Sequence, residues 1–239
     1  LIPRIRMPHH SGARVVPQHP RDAPVCFHRA IAHDHHARML RIAHPHPATV
    51  VQDTVRWLER AVIDLNLCPF AKGVHTKGQV HYFVSAATDA DLDTLAQDVA
   101  RELQVLSESP PEQRDTTLLM APGCLHDFLD FNDFLAIAED LLVSLELDGI
   151  LQIASFHPQF QFAGTAEDDV TNCTNRSPYP TLHLIREESI ARASEAFPDA
   201  AAIFERNIAR LEEMGQTGWD ALEIPRCPMR QGGEADKPQ

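Results

Sequence analysis

TTLLMAPGCLHDFLDFNDFLAIAEDLLVSLELDGILQIASF, residues 116–156, packs a strand, a helix and a second strand into one unbroken run. Thr116 to Ala121 is short and apolar with β-branched residues at its start, which reads as a strand. Phe131, Leu135, Ala138, Leu142 and Leu145 recur at helical steps within about Asp127 to Leu147, and Gly149 follows where a left-handed residue ends the helix. Ile150 to Phe156 has few polar interruptions, so this strand is expected at the centre of a sheet, covered on both faces.

The same alternation extends outward. Upstream, Val51, Val55, Leu58, Val62 and Leu65 predict a helix that Pro69 closes. Gln79 to Ala86 reads as a strand. Thr88 is the expected cap of a helix whose buried stripe is Leu92, Leu95, Val99, Leu103 and Leu106. Downstream, Thr181 to Ile185 makes a fourth strand. Helices follow over Glu187 to Ala196 and Asp199 to Met214, with Asp199 as cap and Gly215 as stop. Helices alternating with strands predict an α/β domain, a mixed or mostly parallel sheet of about four strands covered by helices. The expected organisation is a leader over 1–48, one domain over 49–216 and a flexible tail over 217–239.

Composition separates the leader from the rest. Residues 1–48 hold nine of the 14 histidines and seven prolines, without helical or strand period. Such a segment buries too little apolar area to offset its ordering entropy. It is expected to lie upstream of the true start, with translation beginning at Met39. Residues 1–50 hold seven arginines against Asp22 and Asp34, a balance of +5, so the net charge of −13 leaves −18 on the remaining residues. An acidic body repels phosphate backbones, so no nucleic acid is expected as a partner of the domain. No stretch approaches the roughly 18 to 20 apolar residues of a membrane helix. Cys26, Cys68, Cys124, Cys173 and Cys227 form no CxxC pair and are odd in number, which suits free thiols in a reduced, cytoplasmic compartment. Neither GxGxxG nor GxxxxGK[ST] occurs, so no nucleotide cofactor is assigned.

Chemistry is expected around the 24-residue connection HPQFQFAGTAEDDVTNCTNRSPYP, His157 to Pro180. Structureless loops beyond about 12 to 15 residues are uncommon unless they work or are disordered. Phe160, Phe162, Val170 and Tyr179 can anchor this one, and ligands of α/β sheets sit beyond the carboxyl ends of strands, where His157 lies. Asp168, Asp169, Asn172, Asn175, Arg176 and Tyr179 are the expected ligand-binding residues, with Arg176 able to fork onto a carboxylate or phosphate. The alternative is an ordered Ω-loop in which the same residues cap and turn, with Arg176 paired to Asp168 or Asp169. Cys68, in NLCPFAKG, is the second candidate. If it caps a helical turn, the exposed N–H groups lower its thiol pKa, and His157 as base with Asp168 or Asp169 behind it would complete a Cys-His-acid arrangement. Its apolar neighbours Leu65, Leu67 and Phe70 suit a structural cysteine equally. His157, His183, Asp168 and Asp169 reproduce no metal-ligand spacing, and no metal is assigned. Asn207 falls on the apolar face of the last helix, where it can bond a buried loop carbonyl.

The strings LNLCPFAKGVH (65–75), DFNDFL (130–135), ASFHPQFQFAG (154–164) and NRSPYPTLHLIRE (175–187), taken in order, resemble a bacterial family called domain of unknown function 1415. The resemblance runs from about Val50 to Gly215. It implies that the leader lies outside the domain, and it carries over no catalytic residue. Two functions remain open from the residues themselves. One is a small-molecule enzyme or binding protein with a cleft between the CPFA turn and the loop 157–180, taking an anionic ligand. The other is a non-catalytic module whose acidic surface binds a protein.

Overall fold

The structure, a computed structural model, describes residues 45–196 and 200–225. The expectations for the leader up to residue 44, the Asp199 cap and the tail beyond 225 lie outside those residues.

Four short runs pair into one sheet. β1 (Val80–Val84) lies parallel to β2 (Thr116–Met120), and β4 (Thr181–Arg186) runs antiparallel to both β2 and β3 (Leu151–Phe156). The order β1-β2-β4-β3 makes the sheet mixed, and the chain is α/β as its alternating pattern predicts. Period-2 alternation sends Leu119, Leu182 and Leu184 to one face and Leu118 and Met120 to the other.

The first face is covered by α3 (Leu92–Glu108) and α4 (Phe128–Ser144). The α3 stripe Leu95, Val99, Leu103 and Leu106 is buried as the spacing predicts, and from α4 come Phe131, Phe134, Ala138 and Leu142. The cap of α3 is Asp91, whose carboxylate accepts from the Thr94 N–H at 3.2 Å, not Thr88. The second face is covered by α1 (Pro47–Trp57), its π-helical continuation Leu58–Ile63 and α6 (Ala200–Asp220). Two short helices complete the chain order, α2 (Ala71–Thr76) before β1 and α5 (Glu187–Ala196) after β4.

Three further expectations are corrected. β3 is an edge strand, not a central one: only Leu151 is fully buried there, while β2 is buried throughout. The fully covered centre belongs to β2 and β4, because the connection after β3 turns the chain back to insert β4 between them. The buried stripe of α1 and its continuation is Val50, Thr54, Trp57, Leu58 and Ala61, with Val51 and Val62 on its flank: the set one position earlier has the same four-and-three spacing and puts the bulky Trp57 inside. Gly215, at φ 62 and ψ 179, breaks the last helix, but the chain resumes helical turns to Asp220 and buries Trp219.

Candidate functional site

β1, β2 and β3 point the same way, so the chain leaves all three at one rim of the sheet. The segments that follow them are fastened to one another through Leu125, a buried residue in the left-handed region at φ 55. A branched side chain disfavours that conformation, and it persists only where surroundings over-determine it. Here the Leu125 N–H donates to Asp89 Oδ1 at 2.9 Å, from the segment after β1. Its carbonyl accepts from His157 Nε2 at 3.0 Å, from the segment after β3. His157 Nδ1 accepts from the Gln159 N–H at 3.0 Å, which places the ring proton on Nε2. The imidazole lies between Phe131 and Phe128, with ring centroids at 5.0 and 5.5 Å. Burial pushes its pKa down to about 4, against the opposing pull of the Leu125 carbonyl and Asp127.

The connection 157–180 is ordered by its own side chains. Residues Val170–Asn175 form a 3-10 helix capped by Asp169, which accepts from the Thr171 N–H at 2.9 Å and hydroxyl at 2.7 Å. Those bonds hold the Asp169 carboxyl below its usual range. Fully buried Asn172 accepts from the Phe162 N–H at 2.9 Å and the Thr165 hydroxyl at 2.8 Å, and donates to the Ala166 carbonyl at 2.8 Å. Asn175 contributes its carbonyl to the His157 N–H at 3.2 Å. Arg176 donates from Nε to the Phe160 carbonyl at 3.2 Å and from Nη2 to the Glu167 carbonyl at 2.5 Å. Its hydrogen-bond partners are therefore backbone oxygens, not the carboxylates of Asp168 or Asp169, and Asp168 is exposed. Tyr179 is buried and its hydroxyl donates to Asp53 on α1 at 2.8 Å. Phe160 meets Phe128 at 5.2 Å and Phe162 at 4.9 Å, and Phe162 meets Phe204 at 6.1 Å, so an aromatic strap ties α4 through the loop to α6.

The CPFA turn reaches the other side of this loop. Asn66 takes a left-handed conformation at φ 55, the Cys68 N–H donates to the Val62 carbonyl at 3.3 Å, and the Cys68 carbonyl receives the Ala71 N–H at 3.2 Å. The following helix is preceded by Phe70, so Cys68 does not cap it. The Cys68 side chain is 5% exposed and packs in one cluster with Trp57, Cys173, Tyr179 and Leu211. Asn207 donates to the Leu67 carbonyl at 2.9 Å, the role its place on the apolar face suggests. Cys68 is thus gathered with Cys173 and Tyr179, whereas His157 belongs to the opposite face with Phe128 and Phe131 and has backbone partners at both nitrogens. Cys124 is buried, its thiol pushed up to about 12 by burial and then by Asp89. His183 Nε2 meets the Thr116 hydroxyl at 2.6 Å on the sheet face. Among the described residues, no three His, Cys, Asp or Glu side chains form a metal site.

A buried ionic network on α3 escaped the sequence reading. Glu102 pairs with Arg114, whose Nε and Nη2 also reach the Thr117 hydroxyl at 2.9 and 2.7 Å. Asp98 binds Arg101 at 2.7 Å and accepts from Ser85 at 2.6 Å. The signal was available: Asp98 and Glu102 share the helical spacing of Leu95, Val99 and Leu106, and charges on an apolar stripe require partners.

Residues 49–221 match the family model described as Protein of unknown function (DUF1415). The chain belongs to this family. The match ends one residue past α6, so the short helical segment after Gly215 lies inside it. No curated protein and no solved structure matches the chain. Among the described residues, no helix of this DUF1415 member is long and apolar enough to cross a membrane.

Proposed function

We propose that this DUF1415 chain binds a small anionic molecule at the rim formed by residues 121–127 and the loop 157–180. The observation that carries the reading is the clamp on Leu125: a left-handed, non-glycine residue beyond a central strand, fixed by side chains from two other segments. Backbone strain of this kind gathers at functional sites, and the carboxyl ends of strands are where α/β sheets hold ligands. The sign of the ligand follows from Arg176, the first Lys or Arg after Arg114. Its Nε and Nη2 are spent on loop carbonyls, which sets the guanidinium plane and leaves Nη1 to meet an anion. His157 acts in this reading as a positioning residue, and Cys68 as packing beneath the loop. The thiols of Cys68 and Cys124 suit the reduced cytoplasm expected for the protein.

The test is an amide-shift titration with a panel of small carboxylates and phosphate esters. Binding should move resonances of residues 123–127 and 159–177, and Arg176→Gln should weaken it by about tenfold or more, the worth of a charged hydrogen bond. Shifts confined to other surfaces, or undiminished binding by Arg176→Gln, would overturn the assignment.

A further inference from the structure

A second surface stands apart from the rim. α4 buries Phe131, Phe134, Ala138 and Leu142, yet its outer side also carries aliphatics among its acids: Leu129 is 70% exposed, Ile137 49% and Val143 61%. From Leu129 to Val143 the exposed line reads Leu129, Asp133, Ala136, Asp140, Val143, with Ile137 beside it. At 1.5 Å per residue it runs about 21 Å along the helix. A solvated helix face ordinarily carries long charged side chains of both signs, whereas this line alternates aliphatics with short acids and holds no base.

Charge decides what can cover this face. Residues 115–175 contain eleven Asp and Glu and no Lys or Arg. On α4 itself the acids are Asp130, Asp133, Glu139 and Asp140, so a second copy of the chain would bring like charges together, and an anionic surface would be repelled.

We propose that the outer face of α4 docks a cationic amphipathic helix of a partner protein. Apolar side chains of that helix cover Leu129, Ile137 and Val143, and its Lys or Arg residues meet Asp133 and Asp140 in the middle of the line. This is helix-on-helix recognition, in which apolar anchors at helical spacing supply affinity and flanking charges set orientation.

A synthetic 18-residue helical peptide with leucines on one face and lysines elsewhere serves as the probe. Its titration into the labelled protein should shift amides on the exposed side of α4. The double variant Ile137→Ser with Val143→Ser changes only exposed positions, and it should weaken binding by about tenfold or more, given the transfer free energy of two aliphatic side chains. Asp133→Asn with Asp140→Asn should flatten the dependence on salt. Affinity untouched by the two serines would mean that acidic charge alone adsorbs the peptide, and the proposal fails. It fails equally if sedimentation shows a dimer that the serine variant dissolves, because a second copy would then be the occupant.

Discussion

The two ends of α4 each hold a non-glycine residue in the left-handed region, Leu125 before it at φ 55 and Glu146 after it at φ 57. Their causes differ. Glu146 stands one residue past the helix cap: its N–H donates to the Val143 carbonyl at 3.0 Å, and the Leu147 N–H to the Leu142 carbonyl at 3.0 Å. Buried Leu147 and Leu142 add the hydrophobic contact that accompanies this way of ending a helix. Everything that holds Glu146 is local. Leu125 is held by side chains 36 and 32 residues away, Asp89 and His157. A turn that only long-range partners can maintain costs free energy that helix termination does not explain, and that cost marks the rim as the special end.

The same substitution at both positions should therefore have opposite signs. Leu125→Gly relieves the backbone but deletes a buried side chain from the cluster of Phe131 and Phe134. Unfolding by denaturant should show a loss of about 3–4 kcal/mol, the usual range for emptying a buried leucine site less the strain relieved. A gain in stability would make Leu125 an ordinary turn residue and dissolve the contrast.

The clamp also carries a pH signature. His157 is neutral in the fold with its pKa pushed down to about 4, against 6.5 in the unfolded chain. Between those values the unfolded state binds the extra proton. This contribution is whole above pH 6.5, declines as pH falls through the window, and levels off below 4. At 1.36 kcal/mol per unit it comes to about 3 kcal/mol. His157→Gln should remove that share of the slope between pH 6.5 and 4, leaving the share of His183, which burial likewise pushes down, and the steeper acid unfolding from carboxylates. An unchanged slope in the glutamine variant would mean that the ring is not held neutral and the rim is looser than its geometry implies.

What the residues disclosed, and what they withheld, follows the same division between local and long-range causes. The α3 stripe was legible because helical period is a local property, and so was Asn207, a polar residue on an apolar face. The position of β3 was not, because strand order depends on where a 24-residue connection delivers β4. The loop showed its donors and acceptors but not their pairing. Arg176 reads as a free fork in the chain, yet Nε and Nη2 bind carbonyls of Phe160 and Glu167, which only the folded loop brings near. Leu125 gave no signal at all, since leucine is among the last residues expected at positive φ.

The smallest effect is the cleanest test of the local half of the comparison. Glu146 is exposed, and its carboxylate also sits at the negative end of the helix dipole. Glycine there should raise stability by about 0.5–1 kcal/mol, because the left-handed conformation costs it nothing while the bonds of the helix end remain. Charge and conformation are separated by Glu146→Ala, which removes the carboxylate but keeps a β-carbon. If alanine stabilises as much as glycine, the dipole is the cause and the backbone at residue 146 is relaxed. If only glycine stabilises, the strain is real at the end where nothing long-range maintains it, and the sign reversal at Leu125 measures how much the rim depends on its side chain and its clamp.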